Sequence, residues 1–167
     1  AFGCPFDGEV SIDQVRDVVR MFAEAGVNEI AFADTIGVGV PRQVRALAQM
    51  VAQEAPDAAL RFHFHNTRNT GYANALAAVE AGSRVLDAAA GGFGGCPFSP
   101  AATGNIGTED LEYLLSRSGY TTGIDRDHVA DTARWLSGLL GREAPAMIGR
   151  AGAFPPVQQN STSKGAA

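Results

Sequence analysis

Apolar and polar positions alternate strictly through Leu60-Arg61-Phe62-His63-Phe64-His65. That is the strand period, so one face carries Leu60, Phe62 and Phe64 and the other Arg61, His63 and His65. Elsewhere the period is helical. Ile12, Val15, Val18, Val19 and Phe22 share a stripe that predicts a helix over Ser11 to Ala25. Ser11 and Gln14 form a capping box at its start, and Gly26 stops it. A strand is expected over Glu29 to Ala33, ending at Asp34-Thr35. A glycine-rich turn leads to Pro41, which opens a second helix carrying Val44, Leu47, Ala48 and Val51 to about Ala55. The histidine strand covers roughly residues 59 to 64 and is followed by an alanine-rich helix ending at Gly82. A third strand is expected over Arg84 to Ala89, then the loop Gly91-Gly92-Phe93-Gly94-Gly95-Cys96-Pro97-Phe98. Thr108 is expected to cap a helix through Leu115. A last helix starts near Asp125 and holds Val129, Trp135, Leu136, Leu139 and Leu140. Order is expected to fade from Arg142, with residues 153–167 a disordered tail.

Strands thus alternate with helices every 25 to 30 residues or so, the mark of βα units on a parallel sheet. A (β/α)8 barrel and a doubly wound sheet both fit, although three strands cannot close a barrel. Composition narrows the picture. The chain has 167 residues, 46% hydrophobic and only 19% charged, enough for one domain with a core. The net charge of −5 and the lack of a basic, aromatic-laced patch argue against nucleic acid. No apolar run reaches the ~18 residues of a membrane helix. Two cysteines make no disulfide framework and suit a reducing, cytoplasmic setting. The start, Ala1-Phe2-Gly3-Cys4-Pro5, reads as the tail of a strand within a longer protein.

Polar residues gather where the expected strands end: Asp34, then His63 and His65, then the loop with Cys96. In parallel α/β folds chemistry sits at those ends. Two imidazoles two residues apart on one strand face present two nitrogen donors to a single divalent cation. The same pair also reads as hydrogen-bonded structural histidines. Two donors do not complete a site, so oxygen donors must come from elsewhere. Asp34 alone reads as a turn residue, and Gly104-Asn105 as an ordinary turn pair.

Several stretches taken together resemble the 3-hydroxy-3-methylglutaryl-CoA lyase family. They are Ala33-Asp34-Thr35-Ile36-Gly37-Val38-Gly39, His63-Phe64-His65-Asn66-Thr67, Gly91 to Phe98, Ala102-Thr103-Gly104-Asn105 and Thr108-Glu109-Asp110, in this order. The similarity runs from Ala1 to about Gly152, and the glycine–cysteine loop with its following Gly-Asn is its specific part. The resemblance implies an α/β fold: the last three βα units of a TIM (β/α)8 barrel, preceded by the end of a fifth strand and followed by C-terminal helices. It implies Mg2+ or Mn2+ held by His63, His65 and Asn105. It implies a reactive Cys96 in a loop that closes over substrate, and an Asp34 on the barrel rim that influences the active site. A supporting role for Glu109 is implied more weakly. The family's first-strand Asp ligand and the Arg beside it have no counterpart here.

The activity implied is retro-Claisen cleavage of 3-hydroxy-3-methylglutaryl-CoA to acetyl-CoA and acetoacetate, a step of leucine breakdown and ketone-body formation. The partner is then an acyl-CoA thioester, with no nucleic acid and no membrane, and a homodimer of the full-length protein stays open. The alternatives are a lyase for a longer-branched 3-hydroxyglutaryl-CoA, a related condensing enzyme, or a non-catalytic fragment that needs its N-terminal half.

Overall fold

The computed structural model describes residues 1–95, 104–152 and 154. The histidine strand, β4 (Ala59–Phe64), lies in the middle of a three-stranded parallel sheet between β3 (Glu29–Asp34) and β5 (Val85–Asp87). Register pairs Phe32 with Phe62, Ala33 with His63, and His63 with Asp87. Residues paired in this way share a face. One face therefore carries Ile30, Phe32, Asp34, Phe62, Phe64 and Leu86, and the other Glu29, Ala31, Ala33, Arg61, His63, Val85 and Asp87.

Every helix packed on the sheet lies against the first face. Its core joins Val15 and Val19 of α1 (Ile12–Glu24), Val44, Leu47 and Val51 of α2 (Pro41–Glu54), and Ala75, Ala77 and Ala78 of α3 (Gly71–Glu80). Leu111 and Leu115 of α4 (Thr108–Arg117) complete it. Phe62 and Phe64 are wholly buried and stacked at 5.4 Å, each contributing about 2 kcal/mol by removal from water. A doubly wound sheet puts helices on both faces, whereas a barrel puts them on the outside only. The charged second face here is the inner face of an open barrel arc.

The helix boundaries follow local chemistry. The Ser11 hydroxyl accepts from the Gln14 backbone and the Gln14 side chain accepts from the Ser11 N–H, closing the expected box. Pro41 opens α2. Asp125 caps α5 (Arg126–Leu140) by accepting from His128 N–H.

At four places the structure adds to the sequence pattern or departs from it. Gly3–Cys4 (β1) pairs antiparallel with Gly8–Glu9 (β2) in a small hairpin, and the Ala1 amine just before it reaches β3, donating to the Ala33 carbonyl at 3.2 Å. Thr108 is the first helical residue of α4, and Gly107 is the cap. Trp135, Leu139 and Leu140 are exposed, because α5 packs through its alanines, Ala130 and Ala133. Order does not fade at Arg142. The chain continues into a short α6 (Ile148–Ala151) whose first amides are held by Asp110. The expected tail, residues 153–167, lies outside the described residues except for Phe154.

Candidate metal centre

His63 is the penultimate residue of β4, and His65 lies just past its end on the same inner face. Their rings meet edge to face with centroids 5.1 Å apart. His65 is buried, and its Nδ1 lies 2.5 Å from the Thr35 carbonyl. A carbonyl only accepts, so Nδ1 carries the proton and the lone pair is left on Nε2. Burial pushes the His63 pKa below its usual value. The neighbouring His65 adds to that, and Asp87 and Asp34 oppose it. His63 is therefore a neutral imidazole at neutral pH, the form that ligates a cation.

The third donor comes from a segment 40 residues further on. His65 and Asn105 oppose each other in an isolated antiparallel bridge. The flanking bonds are Ile106 N–H to the Phe64 carbonyl and Asn66 N–H to the Gly104 carbonyl, both 3.3 Å. This makes the pair a non-hydrogen-bonded one, the kind that brings side chains of one face closest. The Asn105 amide Nδ2 donates to the Phe93 carbonyl at 2.9 Å, which fixes the amide's orientation. Its Oδ1 is buried and, among the described residues, has no hydrogen-bond partner. A buried carbonyl oxygen without a donor is costly unless something else occupies it. Two imidazoles and an amide oxygen without a partner among the described residues thus gather at the C-terminal end of the central strand. That donor set fits a hard divalent cation with open positions for water or substrate oxygens. Among the described residues no cluster of three or more His, Cys, Asp or Glu could hold a metal ion by itself.

Other sequence-predicted residues are placed differently. Asp34 is buried on the helix-facing side, opposite the imidazoles. Its carboxylate accepts from Val38 N–H at 2.9 Å and Gly39 N–H at 2.8 Å, closing the turn after β3. Strand alternation turns position 34 away from position 63. Cys96 lies outside the described residues. Glu109 is fully buried and takes Gly91 N–H between its oxygens at 2.9 and 3.1 Å, anchoring the start of the glycine loop; burial raises its pKa. Asp110 accepts from the Met147 and Ile148 amides and from the Tyr72 hydroxyl, whose own pKa burial raises. Thr35 and Asp87 were not singled out in the sequence. Asp87 at the end of the third strand carried a signal, since alternation along β5 puts it on the inner face.

An outward-packed βα arc with a histidine pair and an amide at its C-terminal rim defines a partial TIM barrel. The chain belongs to the HMGL-like family, whose model matches residues 1–136. It is 51% identical over 156 residues to (R)-citramalyl-CoA lyase of Chloroflexus aurantiacus, covering 93% of this chain and 49% of that one. It is 45% identical over 139 residues to hydroxymethylglutaryl-CoA lyase of Pseudomonas mevalonii, covering 83% and 46%. The structure of an HMG-CoA lyase from Acinetobacter baumannii, in complex with coenzyme A and 3-methylmalate, aligns with a TM-score of 0.84 at 40% identity, covering 99% of this chain and 52% of that one. The chain spans about half the length of the curated relatives it matches.

Proposed function

We propose that the protein to which this chain belongs is a carbon–carbon lyase that cleaves 3-hydroxy-3-methylglutaryl-CoA into acetyl-CoA and acetoacetate. The observation that carries the reading is the orphaned Asn105 oxygen beside two imidazoles whose lone pairs are available. His63, His65 and Asn105 would hold Mg2+ or Mn2+, leaving positions for the substrate's hydroxyl and a carboxylate or carbonyl oxygen. The bound cation supplies Lewis acidity that lowers the hydroxyl pKa.

The chain's own residues do the rest by position. The Thr35 carbonyl keeps the His65 proton on Nδ1, and the Phe93 carbonyl keeps the Asn105 oxygen turned inward. In the reaction a base takes the tertiary hydroxyl proton and the new carbonyl forms. The bond to the thioester's α-carbon breaks with its electron pair on that carbon, and the resulting enolate takes a proton. His63 and His65 cannot serve as the base while their lone pairs are engaged. Cys96 is our candidate for the proton donor, in a loop whose start Glu109 anchors.

A second reading is favoured by the 51% identity to a citramalyl-CoA lyase. Citramalyl-CoA has the same tertiary methyl carbinol beside the thioester arm, one methylene closer to its distal carboxylate, and releases pyruvate. One methylene is worth only about 1–3 kcal/mol of discrimination, so the pocket decides by modest contacts. The test is to supply each thioester to the full-length protein with Mn2+ and identify the keto acid released. Acetoacetate with the larger kcat/KM supports the first reading. Pyruvate with the larger kcat/KM installs the second, and turnover of neither thioester removes the lyase assignment.

A further inference from the structure

His65 has its outer nitrogen fixed by Thr35, a residue following β3; the corresponding nitrogen of His63 faces the other neighbour, β5. His63 Nδ1 stands 3.8 Å from Asp87 Oδ2, and register places the two residues side by side on the inner face. Among the described residues Asp87 is the carboxylate that this ring reaches. Asp87 is itself held: Arg61 Nη1 donates to its Oδ1 at 3.3 Å. Arg61 is in turn braced by Glu29, with Nε 3.0 Å from Oε1 and Nη2 3.4 Å from Oε2. A line of charge, Glu29–Arg61–Asp87–His63, therefore crosses all three strands on the face that carries the donors. Surface pairs of this kind contribute little stability. Its geometry has another use, since ligating imidazoles characteristically donate their second N–H to a carboxylate or carbonyl.

We infer that Asp87 is the positioning residue for His63, holding its proton on Nδ1 and leaving the Nε2 lone pair for a cation, with Arg61 and Glu29 keeping that carboxylate in place. The inference rests on the cation reading of His63, His65 and Asn105. Arg61 occupies the far oxygen of Asp87, so the near oxygen is the one presented to the ring. At 3.8 Å the pair is within ion-pair reach, and the bond requires ring and carboxylate to close by about an ångström. Asp87 is not a ligand in this arrangement: both of its oxygens are directed to protein groups.

The test uses the full-length protein, labelled with 15N-histidine and freed of metal, and reads the His63 tautomer from two-bond proton–nitrogen correlations. Wild type is expected to carry the proton on Nδ1. In Asp87→Asn, Arg61 keeps the amide oxygen and the NH2 faces the ring. Nδ1 must then accept, so the proton moves to Nε2. The same variant is expected to raise the Kd for Mn2+ by about tenfold to a hundredfold, with the number of sites unchanged. A merely structural Asp87 would alter stability and leave the tautomer alone. A wild-type proton on Nε2 overturns the inference whether or not the variant folds. So does a folded Asp87→Asn with an unchanged tautomer and a Kd within about twofold. A wild type that shows the Nδ1 tautomer but binds no Mn2+ would sink the cation reading while leaving Asp87's hold on His63 standing.

Discussion

The most informative atom in this chain is the Asn105 side-chain oxygen. Among the described residues its amide nitrogen makes one neutral hydrogen bond, to Phe93, while the oxygen is buried without a partner. Removing the side chain should therefore harm the metal-free fold little. For Asn105→Ala we expect a stability loss of about 1 kcal/mol, the value of one neutral hydrogen bond, by urea unfolding of the metal-free full-length protein. Calorimetry should show Mn2+ affinity falling by more than the roughly tenfold expected of an outer partner. A large stability loss with unchanged affinity would make Asn105 a structural residue. At this scale the sequence was half legible. Alternation alone put His63 and His65 together. It also turns Asp34 to the opposite face. What alternation cannot supply is pairing: nothing local to Asp87 or Thr35 says which imidazole stands beside it, because register is set by the whole sheet.

Among the elements, the start of α4 shows how a helix end organises a loop. Glu109 lies in the first turn, where the helix dipole favours a carboxylate, and reaches back to Gly91 N–H. Burial raises its pKa more than the backbone hydrogen bonds from its own amide and from Gly91 lower it, and the neighbouring Asp110 charge adds to the rise. A raised folded-state pKa means that the folded state holds the proton more tightly than the unfolded chain. That contribution to stability is complete below the usual value of 4.5 and is lost as pH rises through the higher folded-state value. Glu109→Gln keeps an acceptor for Gly91 and has no proton to lose. Relative to this variant, the full-length wild type should lose stability between pH 4.5 and neutrality, measured by urea unfolding across that range. A parallel pH dependence of the two would show that Glu109 does not titrate in this interval. Helix boundaries such as Ser11–Gln14 were legible because capping is local chemistry. The Gly3–Cys4 and Gly8–Glu9 hairpin was not, since two-residue strands carry no periodicity.

Taken whole, the described residues form an arc with two unfinished flanks. On α1, Val18, Met21 and Phe22 are exposed beside the buried Val15 and Val19. The far flank shows Trp135, Leu139 and Leu140 of α5. Among the described residues β3 pairs with β4 alone in its sheet, so its other edge offers unpaired backbone groups. The expected stripe on α1 was correct as a pattern, but two of its five residues, Val18 and Phe22, are exposed. Burial depends on neighbours that a pattern cannot see. We expect residues 1–167, expressed alone, to self-associate with increasing concentration in sedimentation velocity and to cleave neither thioester with Mn2+ present. A monodisperse monomer with full turnover would show that the arc is sufficient in itself.

The bridge between His65 and Asn105 has a further bearing on how such an enzyme could work. Residues 104–108 are stitched down on both sides. Ile106 and Asn66 bond toward β4, and the Ala89 and Thr108 amides bond across the β5 side. The backbone that carries the Asn105 amide is thus riveted to the scaffold on both sides. Any ion that this side chain takes would therefore be seated on the sheet's own framework, and its retention would draw on the same ladder that holds the strands together.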